Sequence, residues 1–286
     1  MKINAISVNN PLYPARLKAI PDAPKQLYFL GHPLPNTAKS VAIIGTRKPT
    51  TYGRDITIKL AEMLARRGVT IVSGLALGVD GIAQQAALDA SGYTVAVLAS
   101  GLTEITPHSH RNLAIKILER KGLLVSENPP GTAPQKWQFL KRNRIVSGLA
   151  DAIIVTEAGA KSGTMNTVMH ALAQGRDVYA VPGNITSPMS AGCNRLIEQG
   201  ATPIVDIEAF VEQFSPSANS PRQTLLLAQN TEERVIIELL KSGVQDGDEL
   251  QKRSKLQSSV YSTTITMLEL RGIIRPLGAN HWTISI

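Results

Sequence analysis

The sequence has a single cysteine, Cys193, among its 286 residues. That excludes an internal disulfide framework and any metal site built from four cysteines of one chain. No stretch approaches the roughly 18 uninterrupted apolar residues of a membrane-spanning helix. The opening segment MKINAISVNNPLYP also lacks the apolar core of a secretory signal, so a soluble, cytoplasmic protein with no membrane partner is expected. Aromatic residues make up only 4% of the chain, too few for a surface built mainly on rows of stacked bases. The first strand-to-helix turn has no G-x-G-x-x-G spacing: Arg47 stands where a dinucleotide-binding enzyme keeps more glycine, so no such cofactor is expected. Catalytic sets are missing as well. His108 and His110 flank Ser109 with no carboxylate placed to complete a triad or metal arrangement, and read as surface or ligand-contact residues.

What is present is localised positive charge. The formal charge is +8, and residues 39–67 carry seven Lys/Arg against Asp55 and Glu62, while residues 105–148 carry eight against Glu119 and Glu127. The remainder is slightly acidic, so the basic surface is concentrated and points to a polyanionic partner. No acid occurs from 133 to 149, where Lys136-Trp137-Gln138-Phe139-Leu140-Lys141-Arg142-Asn143-Arg144 combines cations with two aromatics. As a helix, this segment places Lys141 and Arg144 on one face and Phe139, Arg142 and Asn143 on a neighbouring one. Its alternative reading is a solvated charged face.

From residue 41 short β-branched runs alternate with helical stretches. Segments 41–45, 69–74, 94–101, 123–127, 152–159 and 177–183 read as strands, and their continuous apolar runs indicate burial on both faces of a parallel sheet. Helical patterns at 53–67, 79–91, 109–121 and 162–174 are each followed by glycine, the expected left-handed stop. The alternation predicts an α/β fold with an extended Rossmann-like, doubly wound, mainly parallel sheet over 41–214. Residues 1–40, punctuated by proline, read as a leader packed on that sheet. Residues 215–224 are Ser/Pro-rich and read as a linker. Over 225–286, helices at 231–241, near 247–254 and near 258–271 precede a hairpin, the order of a small winged-helix domain.

In an open parallel sheet, ligands bind beyond the carboxyl ends of the strands. Small residues gather at four such ends: Gly45-Thr46-Arg47, Ser73-Gly74, Ser100-Gly101 and Ser162-Gly163-Thr164. Taken alone, each glycine merely permits a backbone angle; together they favour close approach of backbone N–H groups to phosphate oxygens. Asp80 and Glu157, at loop and strand ends, are candidates to meet there, either as acid–base groups or as acceptors for loop amides.

The stretches VAIIGTRKPTTYG, IVSGLALGVDGIAQQAAL, TVAVLASGL, LKRNRIVSGLADAIIVTEAGAKSGTMNTVMHALAQGRDVYAVPG and SAGCNRLIEQGA resemble the DNA-processing protein A (DprA, also called Smf) family over about 41–205. The leader YPARLKAIPDAPKQLYFLGH is also similar to the segment that precedes this core in the family. The resemblance implies a non-enzymatic, dimeric protein that binds single-stranded DNA and helps to load the recombinase RecA in natural transformation. Carried over by position, Arg47, Lys141, Arg142, Asn143 and Arg144 would hold the DNA backbone. Gly45, Thr46, Ser73, Gly74, Gly101, Ser162, Gly163 and Thr164 would supply small-residue and backbone contacts. A small helical, SAM-like upstream domain found in many members has no counterpart here, so contacts supplied by it are not expected. The similar winged-helix domain of many members corresponds to the C-terminal segment. Seven basic and seven acidic residues between Leu225 and Ile286 lead us to expect a protein contact or weak DNA contact for it.

Two other readings share this sheet. Nucleotide phosphoribohydrolases carry a PGGxGTxxE pattern, but the corresponding run from Ala158 to Val168 has no acid after Thr164, which removes the expected catalytic carboxylate. A nucleotide-sensing module would keep the same pocket for a small ligand; the extended basic segment favours a polymer.

Overall fold

Continuous apolar runs decide how the sheet is buried. In the computed structural model, which describes residues 2–33, 38–216, 228, 230–278 and 280–284, the chain divides into two compact units, residues 1–216 and 217–286. The first unit begins with β1 (Asn4–Ser7), α1 (Ala15–Lys18) and β2 (Gln26–Gly31), followed by β3 (Ser40–Ile44), α2 (Thr51–Arg66), β4 (Thr70–Ser73) and α3 (Val79–Asp89). It continues with β5 (Thr94–Leu98), α4 (Arg111–Glu119), β6 (Leu123–Ser126), α5 (Lys136–Gly148), β7 (Ala152–Val155) and α6 (Thr164–Ala173). β8 (Asp177–Ala180), α7 (Ala191–Glu198), β9 (Thr202–Pro203) and α8 (Ile207–Phe214) complete it.

The described strands of this unit form one sheet in the order β1-β2-β6-β5-β4-β3-β7-β8-β9. Strands β3 to β9 pair in parallel. The leader does not simply rest on the sheet: β2 pairs antiparallel with β6 and β1 antiparallel with β2, extending it by two edge strands. Every residue of β3, β4, β5, β6 and β7 is buried. Period-two geometry sends Ala42, Ile44, Ile153 and Val155 to one apolar cluster and Val41, Ile43, Ala152 and Ile154 to another. Helices cover both faces, which is why the central strands carry apolar residues on both sides.

The second unit contains α9 (Thr231–Lys241), α10 (Gly247–Ser254), α11 (Ser258–Leu270) and the antiparallel pair β10 (Ile274–Gly278) and β11 (His281–Ile284). Asn230 and Asp246 cap α9 and α10 by accepting from the amides of Glu233 and Glu249, at 2.8 and 2.9 Å. Ile236, Ile237, Leu250, Leu268 and Ile274 form a core of its own. Of the Ser/Pro-rich linker expected over 215–224, residues 217–224 lie outside the described residues. Among the described residues, no helix is long and apolar enough to cross a membrane.

Because each unit has its own apolar core, deletion of residues 217–286 is expected to leave the sheet unit folded, with a cooperative urea transition. Loss of that transition, followed by circular dichroism, would contradict the division.

Candidate functional site

Strands β4, β5 and β6 lie to one side of β3, and β7, β8 and β9 to the other. The loops leaving β3 and β7 therefore diverge, opening a crevice at the carboxyl edge where the strand order reverses. Gly45-Thr46-Arg47 follows β3 and is clamped from both sides. The Thr46 amide donates to the Glu157 carbonyl at 2.7 Å, and the Val79 amide donates to the Thr46 carbonyl at 3.1 Å. A Cβ on Gly45 would stand 2.6 Å from Val79 Cγ2 and 2.7 Å from the Glu157 carbonyl oxygen. Gly78, at φ +78°, brings its backbone so close that a Cβ would lie 2.6 Å from the Arg47 carbonyl carbon; only glycine tolerates both conditions.

Glu157 is 2% exposed. Its carboxylate accepts from the Thr50 amide and hydroxyl, both at 2.7 Å, while Thr50 caps α2 by accepting from the Gly53 amide at 3.2 Å. Of the two roles open to it from sequence, Glu157 takes that of acceptor for a loop amide.

Between these loops and α5 lies a cavity of about 300 Å³. Gly45 and Arg47 line it from the β3 loop, Gly74 and Asp80 from the β4 side, Arg142 and Asn143 from α5, and Ser162, Gly163 and Thr164 from the start of α6. Phe139 also lines it, and the exposed Arg47 guanidinium lies 5.7 Å from its ring centroid, within cation–π range. Arg47 makes no ion pair among the described residues. Ser162 Oγ donates to Thr164 Oγ1 at 2.8 Å and accepts from the Thr164 amide at 3.2 Å. Gly163 has open space where a Cβ would be. Asn143 Nδ2 donates to Asn166 Oδ1 at 3.1 Å.

Of the other cations of this motif, Lys141, Arg142 and Arg144 have partners within the protein, whereas Lys136 is exposed and makes no ion pair among the described residues. Arg142 is 7% exposed; it donates to the Gly74 carbonyl at 2.5 Å and to the Val97 carbonyl, bracing the ends of β4 and β5. Gly74 is glycine for this reason: a Cβ would lie 2.5 Å from the guanidinium. Asp80, whose carboxylate accepts from the Gly74 amide at 3.0 Å, sits in the same buried region. Burial pushes the Asp80 carboxyl up and the Arg142 guanidinium down to about 10, while the opposite charge of each opposes the shift in the other.

Lys141 and Arg144 face a different hollow, of about 710 Å³, as the helical period requires. Both pair with Glu127, at 3.0 and 2.6 Å, so the segment without acids of its own finds one at the end of β6. Arg142 thus spends its charge on carbonyls inside the protein, while Arg144 pairs with Glu127 through Nη2 and keeps a buried Nη1 with no hydrogen-bond partner among the described residues. Two other expected site residues also have hydrogen-bond partners within the protein. Ser73 Oγ donates to the Ile43 carbonyl at 2.7 Å within the sheet. Gly101 packs on the 129–132 turn, its amide donating to the Thr132 carbonyl at 2.9 Å. Thr46 is held by its backbone contacts and accepts from the Lys48 amide at 3.2 Å. Phe139, whose place beside the cations is visible in sequence, lines the cavity as well, and Gly78, in the GVD turn before α3, packs against the Arg47 backbone.

Two of the cavity glycines, Gly74 and Gly163, should respond oppositely to alanine. Gly74→Ala forces Arg142 aside and is expected to destabilise by about 1–3 kcal/mol. Gly163 has right-handed helical dihedrals, φ −60° and ψ −16°, so Gly163→Ala is expected to stabilise by about 0.4–1 kcal/mol through the unfolded chain. Urea midpoints test the pair; equal effects would contradict these environments. Cys193 is buried on α7, and burial pushes its thiol up to about 12. It is expected to stay inert to a disulfide reagent at pH 8 until denaturant is added; rapid native labelling would contradict that burial.

Residues 4–215 match the sequence profile of a family described as DNA recombination-mediator protein A. The DNA processing protein DprA of Bacillus subtilis (strain 168) is 42% identical over 213 residues, covering 74% of this chain and 71% of the relative. Protein Smf of Escherichia coli (strain K12) is 42% identical over 209 residues, covering 73% of this chain but 56% of the relative. Among solved structures, DprA from Streptococcus pneumoniae is similar with a TM-score of 0.70 at 36% identity, over 75% of each chain. DNA processing protein A from Helicobacter pylori, described for its single-stranded DNA binding mode, gives a TM-score of 0.67 at 36% identity, over 74% of this chain and 95% of the other. The profile ends before the second unit begins, and the sheet with its switch-point cavity lies within it: the chain belongs to the DNA processing protein A (DprA/Smf) family.

Proposed function

We propose that the switch-point cavity binds single-stranded DNA and that the protein acts in DNA processing during natural transformation, without a chemical step of its own. The observation that carries this reading is Arg47: an exposed cation with no ion pair among the described residues, set over the Phe139 ring at the mouth of the cavity. A phosphate takes the guanidinium and an unpaired base takes the ring, a combination open to a single strand and closed to a duplex whose bases are stacked away. Similarity to the Helicobacter pylori protein supports the same ligand. In this reading Gly163 and Ser162 admit the sugar–phosphate backbone, Asn143 offers an amide, and Arg142 and Gly74 keep the cavity's shape.

A binding role rather than catalysis is supported by the carboxylates. Asp80 is the acid that lines the cavity among the described residues, and it is held by the Gly74 amide; Glu157 is committed to Thr50. No cluster of three or more His, Cys, Asp or Glu suited to a metal occurs among the described residues. RecA as a partner, a homodimer and a cytoplasmic location belong to the same proposal, carried by family membership. The second unit, helical with a terminal hairpin, is assigned a protein contact or weak DNA contact.

Titration of the purified protein with oligo-dT, duplex DNA and free nucleotides at two salt concentrations tests the proposal. Single strands are expected to bind best, with a log–log salt slope that falls by roughly 0.7 for each phosphate contact removed. Arg47→Ala is expected to weaken binding by about 1.5–3 kcal/mol and to lower that slope. Phe139→Ala is expected to cost about 1–3 kcal/mol with the slope unchanged. Folded variants with wild-type affinity would overturn the assignment, and tighter binding of free nucleotides than of oligo-dT would favour a nucleotide sensor.

A further inference from the structure

We propose that a bound strand does not end in the cavity but continues over Arg47 into a second groove, where Arg54 and Lys116 take further phosphates. The inference rests on the single-strand reading above. At about 300 Å³ the cavity stands at the lower end of the roughly 300–1,000 Å³ that accommodates one small molecule. A polymer seated there has to leave it.

Arg47 marks an exit. It lines both the cavity and a neighbouring groove of about 640 Å³ bounded by α2, α3 and α4, so the two hollows meet at that side chain. The groove is a built feature. The His110 ring packs against Gly81, where a Cβ would collide with it, and its Nδ1 lies 2.9 Å from the Leu75 carbonyl oxygen. This contact seats the turn before α4 against α3 and fixes the far wall.

The charges in the groove are unevenly engaged. Arg54, in the first turn of α2, and Lys116, on α4, are exposed and make no ion pair among the described residues. The acids beside them already have partners: Glu62 is 3.4 Å from Arg66 Nη2, and Asp89 accepts from Gln85 Nε2 at 2.7 Å. Free cations facing engaged carboxylates leave a net positive lining, and Arg47, Arg54 and Lys116 together outnumber the two acids. Such a lining, continuous with a phosphate-binding mouth, suits the continuation of the same polyanion.

The test is affinity of the full chain for oligo-dT of increasing length, at two salt concentrations. Three proteins are compared: wild type, Arg54→Ala/Lys116→Ala, and Lys18→Ala/Lys59→Ala, which removes the same charge from exposed positions outside the groove. Wild-type affinity is expected to rise with length until the groove is filled. The groove variant should match wild type on the shortest strand that binds, reach its plateau at a shorter length, and bind long strands roughly tenfold more weakly or worse. Its salt slope on long strands should be smaller by about 1.4, two contacts' worth. A groove variant identical to wild type at every length, or a control variant with the same loss, overturns the proposed path while leaving the cavity reading intact. Failure of wild type to bind any strand overturns the cavity reading, and this path with it.

Discussion

Two loops that the topology sends in opposite directions are tied together by one residue. Glu157, just past β7, offers its carbonyl to the Thr46 amide and its carboxylate to the amide and hydroxyl of Thr50, across the point where the strand order reverses. A carboxylate that is 2% exposed is costly to bury unless its oxygens are hydrogen-bonded, so the arrangement depends on both Thr50 donors. It also depends on Gly53, whose missing side chain makes room for the carboxylate. Everything at the mouth of the cavity inherits its position from this tie: α2 starts where Thr50 is held, and Arg47 lies between the two anchored residues Thr46 and Thr50.

The basic motif on α5 does three separate jobs because a helix turns its residues to different surroundings. Arg142 points inward and braces two strand ends through carbonyl oxygens. Lys141 and Arg144 turn to the other side and share Glu127. Asn143 and the preceding Phe139 face the cavity. The concentration of positive charge in this part of the chain therefore overstates what is free to meet a ligand, since buried guanidinium groups are retained only where internal partners receive them. Arg47 is exposed, without an ion pair among the described residues, and set at the cavity over the Phe139 ring, and for that combination it is the cation to which recognition is assigned.

The fold was legible wherever local signals were strong. Apolar runs such as VAIIG and AIIVTEAG gave β3 and β7, and the glycines at 68, 92, 122 and 175 marked the ends of α2, α3, α4 and α6. Prolines interrupt the leader and mask β1 and β2, although QLYFLG carries a clear strand pattern; a proline- and glycine-rich stretch before α7 and α8 hides them in the same way. Within the site, residue type was readable and partnership was not. Ser73, Gly74 and Gly101 have the composition of a phosphate-binding edge, yet Gly74 is small to admit Arg142 and Gly101 to admit the 129–132 turn. These contacts join residues distant in the chain, and no local pattern encodes them. Likewise, the absence of acids from 133 to 149 suggested unpaired cations, until the fold brought Glu127 beside Lys141 and Arg144.

The central claim is a location, and photo-cross-linking tests it without altering the protein. An oligo-dT carrying a single 4-thiothymidine, irradiated in complex with the full chain and mapped by peptide mass, reports which residues lie against an unpaired base. The account predicts label on the α5 peptide containing Phe139, with competition by unlabelled single strand and little by duplex. Label confined to residues 231–284, with none on α5 or on the loops that line the cavity, would contradict it.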